Sequence, residues 1–398
     1  MSLTIVAIIF APLTEDHADV GQHVLVGGQH VTEYQCRLAH QAGAQLVVLC
    51  VERISKAMLV SVDRLTDEGV KIAVVRDASE LREQIHPEEQ VLLIAASIVA
   101  EPRLVRELVA DQKPMVLGVR NMPDAERFER IDGFTSWSGL AILPGELVRQ
   151  TAQQIGDWDL QSTLLRSALQ HHLPVELIDL EHGDAPLIGQ ICEPMQATRF
   201  NKALLQRIPT AANGAIDSFI WCPLTDILMP TLLRWTRDAT WFAAALGLLV
   251  LLTLASNWLA PIIIPPLLFL LGGFIARIAV RLSSLSLRET GRLQWLLQAR
   301  IAVGGISLMM MAKRLVDYGI GWGFAILSLW VLVEIARLSR FDPWFLGKRG
   351  LPVWRSGPDV AAVIIVIAHL YNVDILGLEL VIVSALATDV YLRTRLKS

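Results

Sequence analysis

The sequence predicts a doubly wound α/β soluble domain followed by an all-α membrane domain of six transmembrane helices. Three observations lead there. Up to about Gln190, short apolar runs alternate with charged stretches of helical period. After Arg237, apolar runs of membrane-spanning length dominate. Basic residues gather in alternate connections between those runs. The 398 residues are 53% hydrophobic with a mean hydropathy of +0.47, an average that hides two segments suited to different solvents. We therefore divide the chain into a soluble domain (1–190), a linker with an amphipathic juxtamembrane segment (191–238) and a membrane domain (239–398).

Strand-like runs recur as "TIVAIIFA" (4–11), "AQLVVLCV" (44–51), "VKIAVV" (70–75), "QVLLIAAS" (90–97) and "KPMVLGV" (113–119). The first is short, lacks a basic flank and runs into the acidic "LTEDHAD", so it reads as a strand and not as a signal peptide. Between the runs, "VTEYQCRLAHQAG" repeats apolar residues at helical intervals and stops at Gly43, and "EPRLVRELVADQ" opens with Pro102 in a first helical turn. Strands and helices alternating in this way predict a mostly parallel sheet with crossover helices on its faces. Ligands of such sheets lie beyond the carboxyl ends of the strands, here "APLTEDHADVGQHVLVGGQH" and Ala96-Ser97.

The linker mixes prolines with Phe219, Ile220, Trp221, Leu224, Ile227, Leu228, Leu232 and Leu233, the pattern of an interfacial amphipathic segment. Six apolar spans follow, near Trp241–Leu259, Pro261–Val280, Leu297–Ala312, Tyr318–Ala336, Asp359–Tyr371 and Val373–Leu392, the fifth being short for a bilayer. Arg234 and Arg237 precede the first span, Arg281, Arg288 and Arg292 follow the second, Arg340, Lys348, Arg349 and Arg355 the fourth, and Arg393, Arg395 and Lys397 the sixth. The positive-inside rule then predicts a multi-pass protein of the cell's inner (cytoplasmic) membrane with both termini cytoplasmic. Lys313 and Arg314 are the exception to the pattern.

A net charge of −4 argues against a general nucleic-acid binder. Cys36, Cys50, Cys192 and Cys222 form no CxxC pair, so reduced thiols are expected and no zinc site. Gly27-Gly28 reads as a turn more readily than as a phosphate cradle, and His171-His172 as a solvated helix end more readily than as a metal pair, because adjacent helix positions do not face one ligand. Glu334, Glu379 and Asp389 fall within spans, where charge is costly and often functional; Glu379 is placed deepest. The run Met309–Met311 fits packing, and the tryptophans fit interfacial anchoring.

The alternation in the first half resembles the sugar-nucleotide and cytidylyl transferases, with "VLVGGQHVTEYQCRLAHQAGAQLVVL" similar to the segment after that family's Gly-rich loop. Where the family wraps a triphosphate in glycines, this chain has "FAPLTEDHAD", without glycine and with three acidic residues. The family's metal-binding aspartate has Ala95, Ala96 and Ser97 in its place. "ERIDGFTSWSGLAIL" resembles the segment near the acceptor polyol phosphate; Asp132 there is either a ligand to a hydroxyl or, more often for such a pattern, a turn residue before Gly133.

In the second half "GGFIAR" overlays the DGxxAR core of the CDP-alcohol phosphatidyltransferase signature at Gly273, Ala276 and Arg277. The whole chain resembles fusions of an inositol-1-phosphate cytidylyltransferase with a di-myo-inositol phosphate phosphate synthase. The four signature aspartates are replaced by Phe269, Gly272, Thr290 and Gln294, and the second glycine by Ser286. In the family those carboxylates hold divalent metal on the CDP pyrophosphate and activate the acceptor hydroxyl, and loss of one such contribution costs about 10²-fold or more.

The resemblance therefore implies a protein that has lost metal-dependent chemistry at both sites and acts by binding or regulation. Its expected partners are membrane lipids, a phosphorylated polyol or nucleotide, a second copy of itself or an active enzyme; no nucleic acid and no resident cofactor are expected. The alternative is an active transferase, with Mg as cofactor, that uses other residues. Arg277, Arg281, Arg288 and Arg292 lie within roughly 60° of one face if the helix is continuous, a stripe suited to phosphate or an anionic head group or else to a topology signal. The serines of "SSLS" are a candidate break in it.

Overall fold

The computed structural model describes residues 4–11, 24–54, 56–120, 128–154, 159–179, 181–182, 185–207, 216–235, 239–288, 291–316 and 357–397. The chain divides into two compact units, Met1–Ile208 with Ser284–Glu289, and Pro209–Ser283 with Thr290–Ser398.

In the first unit all five predicted strands form, as Ile5–Phe10, Leu46–Cys50, Ile72–Val75, Gln90–Ile94 and Met115–Arg120. They belong to one seven-stranded sheet whose spatial order is Val175–Ile178, Met115–Arg120, Thr135–Pro144, Gln90–Ile94, Ile5–Phe10, Leu46–Cys50, Ile72–Val75. Neighbouring strands pair in parallel except Thr135–Pro144, which runs antiparallel to both of its neighbours. The apolar runs earn their central place by burial: Ala7, Ile8, Ile9, Val91, Leu92, Leu93 and Ile94 are inaccessible to solvent.

Strand Thr135–Pro144 was not anticipated. Its "TSWSGLAILP" carries Ser136 and Ser138 in a buried stretch, so it shows neither alternation nor an unbroken apolar run. Its bonds to two partners compensate for the polar residues, and the indole of buried Trp137 donates to the Leu140 carbonyl at 3.0 Å.

Helix Val31–Gln41 ends just before Gly43 and helix Pro102–Asp111 begins on its proline, both as the sequence predicts. The first is buried over most of its surface and hides charge: Glu33 and Arg37 are each only 2% exposed and pair with one another. Arg37 also reaches both carboxylate oxygens of Glu68, at 2.7 and 2.9 Å. A bidentate partner of this kind offsets much of the cost of desolvating a guanidinium.

The second unit is helical in the described residues. Asp217–Trp221 is a π-helical turn leading into Cys222–Trp235; Ala239–Leu259, Ile264–Leu285, Gly291–Val316, Pro358–Leu370 and Asp374–Lys397 follow. Among the described residues, three helices are long and apolar enough to cross a membrane: Ala239–Leu259, Ile264–Leu285 and Gly291–Met311.

Of the six predicted spans, the fourth lies outside the described residues, together with Glu334. The fifth is the 13-residue helix Pro358–Leu370, and the sixth is the 24-residue helix Asp374–Lys397, on which Glu379 is exposed. Asp389 falls on the same helix. Leu246, Ala276, Ala279 and Leu293 form one core cluster, and Leu308, Met311, Ala361, Ile365, Leu378 and Val381 another, so the methionine run does contribute to packing. Trp241, Trp258 and Trp295 are exposed near helix ends, where an interfacial anchor sits.

Candidate functional site

At the carboxyl end of strand Gln90–Ile94, the place expected to bind a ligand, neutral side chains hold the backbone. The Gln35 amide donates to the carbonyls of Ala95 and Ile98 at 2.9 and 2.7 Å, and the Gln161 amide oxygen accepts the Ala96 N–H at 2.9 Å. Ser97 has a left-handed backbone, φ 60°, and its carbonyl accepts the Ile191 N–H at 2.8 Å. Several backbone groups of this turn are thereby paired within the protein, while Ala96 and Ser97 stay partly exposed. The acidic "LTEDHAD" that follows the first strand lies outside the described residues.

Asp132 is placed as a turn residue. Its carboxylate accepts the N–H groups of Phe134 and Thr135 at 2.7 and 2.8 Å, which is an Asx turn opening strand Thr135–Pro144. Gly27 and Gly28, both with positive φ, make the two-residue turn between Leu25–Val26 and Gln29–His30. A Cβ on Gly27 would overlap the Leu285 carbonyl, within the same unit. His171 caps the end of helix Leu160–Gln170, with His172 in a left-handed conformation after it.

Cys36, Cys50 and Cys222 are buried and Cys192 is exposed, and no disulfide joins them. Burial pushes the Cys36 thiol up to about 12, Arg37 pulling it down less and Glu33 adding to the rise; burial alone pushes Cys50 up to about 12. Burial likewise raises the Tyr34 phenol, whose hydroxyl donates to the Ala100 carbonyl at 2.9 Å. These are packing groups held protonated.

The four arginines do not form one stripe. Helix Ile264–Leu285 ends within "SSLS", Leu287 turns left-handed (φ 53°), and a new helix starts at Gly291. The break removes the condition of a continuous helix on which the shared face depended. Arg288 belongs to the first unit, where its Nε lies 3.3 Å from a Glu68 carboxylate oxygen. Arg292 is exposed in the first turn of its helix.

Arg277 and Arg281, one turn apart on helix Ile264–Leu285, stay together and are 9% and 2% exposed. Both meet carboxylates of the amphipathic segment. Arg277 Nη1 is 3.3 Å from Asp217 Oδ2 and its Nη2 donates to the Cys222 sulfur at 3.0 Å, while Arg281 pairs with Asp226. Among the described residues neither Nε–H finds an acceptor, although both are buried.

That segment is two-faced: Asp217, Cys222, Thr225 and Met229 are buried, and Phe219, Ile220 and Ile227 are exposed. Trp221 packs on Phe274 with ring centroids 5.4 Å apart.

A further charged pair lies beside Phe269 and Gly273. Arg300 is 8% exposed, lies over the Phe269 ring at 4.1 Å, donates to the Phe269 carbonyl at 3.2 Å and pairs with Asp359. A Cβ on Gly273 would stand 2.6 Å from Arg300 Nη2 and 2.8 Å from Asp359 Oδ1, so this glycine makes room for the pair. Sequence reasoning missed Arg300, Asp359, Asp217 and Asp226. The signal for Arg300 was present in "LQARIAVGG", a lone charge entering an apolar stretch.

Among the described residues, no three His, Cys, Asp or Glu side chains come together as a metal site would require. No family model matches the chain, and no curated protein matches it. Among solved structures, the chain is similar to the inositol-1-phosphate CTP transferase from T. maritima (16% identity, TM-score 0.38, covering 49% of this chain and 92% of that one). It is also similar to the 4-diphosphocytidyl-2C-methyl-D-erythritol synthase from Anaerococcus prevotii (14% identity, TM-score 0.37, covering 52% and 97%).

Proposed function

We propose that this chain is a multi-pass membrane protein, its termini cytoplasmic, that descends from fused cytidylyltransferase and CDP-alcohol phosphotransferase enzymes and acts by binding. Its ligand is a phosphate-bearing anion held by Arg277 and Arg281, and its role is to regulate or accompany an active enzyme of phospholipid or phospho-polyol synthesis.

The observation that supports this reading best is the inversion of charge at Phe269 and Gly272, two positions that the resemblance gives to aspartate. A metal–pyrophosphate site needs carboxylates, whereas here an aromatic ring and a bare backbone pack around the Arg300 guanidinium, which Asp359 neutralises. Magnesium placed there would meet the like charge of Arg300 and would have to compete with it for Asp359.

The test is turnover by the purified full chain. Supplied with Mg²⁺ and either CTP with inositol 1-phosphate or a CDP-alcohol with a phospho-polyol acceptor, it is expected to release neither pyrophosphate nor CMP above an EDTA-treated control. EDTA-sensitive release of either product would overturn the reading in favour of an active transferase using other residues.

A further inference from the structure

We propose that the amphipathic segment Asp217–Met229 is an internal lid on the Arg277–Arg281 anion site, its two carboxylates standing in for the oxygens of the phosphate that displaces them. This rests on the assignment of a phosphate-bearing ligand to those two arginines, and adds how access to them is controlled.

Three features point to a displaceable lid and not to a fixed brace. The guanidiniums are incompletely satisfied: both Nε–H groups are buried with no acceptor among the described residues, and Arg277 spends one of its other donors on a thiol, a weak acceptor. A single phosphate placed between the two guanidiniums can accept from both at once, whereas here each carboxylate pairs with one of them.

The carboxylates are also unequal. Asp226 is 58% exposed although its partner Arg281 is 2% exposed, so the carboxylate side of that pair is already hydrated and the buried guanidinium is the side that needs a replacement anion. Finally, the segment that carries them opens with a π-helical turn, a departure from α-helix that often marks functional sites. Its Phe219, Ile220 and Ile227 remain exposed, an apolar face that a bilayer surface would accept whether or not the acidic face is engaged.

The phosphate could arrive on a lipid head group or in solution, and the experiment separates the two. The full chain, reconstituted in phosphatidylcholine nanodiscs, is titrated with dioctanoyl phosphatidic acid and, separately, with inorganic phosphate, for the wild type, Asp226→Asn, Asp217→Asn and the double variant Arg277→Gln/Arg281→Gln.

The lid predicts that each Asn variant binds one of the two probes at least about fivefold more tightly than wild type, because the competing charge is gone while the arginines remain. The same probe is lost in the double Gln variant. Unchanged or weaker binding in the Asn variants, with binding still abolished in the double Gln variant, would overturn the lid and leave the arginine site standing. Binding that ignores the arginines overturns both. Asp226→Asn suffices should Asp217→Asn fail to fold, because Asp226 is largely in solvent.

Discussion

At the scale of single residues, chemistry is governed by who the neighbour is. Cys36 and Cys50 are held protonated to about 12 by burial, so they should resist alkylation of the native protein by iodoacetamide at pH 8, while exposed Cys192 reacts; adducts located by mass spectrometry check this. The sign of the pH effect follows. The unfolded chain releases these protons near the ordinary thiol value of 9.0 and the folded chain does not until about 12, so this contribution erodes stability as pH rises through that interval and is absent below it.

Gly273 gives a second test at this scale. With Arg300 pinned by Phe269 and Asp359, the methyl of Gly273→Ala has nowhere to go, and thermal denaturation in detergent should register a loss of about 1–3 kcal/mol. Gly273 was legible in the sequence as part of a motif. Its neighbours Arg300 and Asp359 were not, because they lie 27 and 86 positions away in sequence and no local pattern joins them.

At the scale of elements, ion pairs tie helices together. Arg300 on helix Gly291–Val316 and Asp359 at the start of helix Pro358–Leu370 are both largely buried, so Arg300→Met leaves a carboxylate without its partner and should cost about 3–5 kcal/mol. The double change Arg300→Met/Asp359→Leu should recover most of that loss, and a double-mutant cycle on unfolding midpoints measures the coupling.

Strand Thr135–Pro144 depends instead on its opening turn. Asp132→Ala removes the acceptor of two backbone N–H groups and should cost about 1 kcal/mol, with anion binding untouched. Five strands were legible because apolar runs announce them, and the parallel strand Val175–Ile178, exposed over most of its length, was not. Thr135–Pro144 was not legible either, since its burial rests on pairing with Gln90–Ile94 and Met115–Arg120, and its serines and glycine interrupt the apolar residues.

At the scale of the whole molecule, the chain combines an α/β unit with a unit that, among the described residues, has three helices long and apolar enough for a bilayer. Expressed in cells, the full chain should stay in the membrane pellet after carbonate extraction at alkaline pH; release into the supernatant would contradict the membrane reading. The expected arginine stripe shows the limit of reasoning from spacing. Intervals of 4, 7 and 4 residues share a face only on an unbroken helix, and the break after Leu285 assigns Arg277 and Arg281 to one unit and Arg288 to the other.

The sequence by itself determined the change from a charged, alternating half to an apolar one and five strands of the sheet, because hydropathy and period are properties of neighbours along the chain. Only the tertiary structure decided that Arg277, Arg281 and Arg300 are answered by Asp217, Asp226 and Asp359. A buried guanidinium must find its counter-charge wherever the fold brings one near, and that partner is set by distance in space and not by distance in sequence.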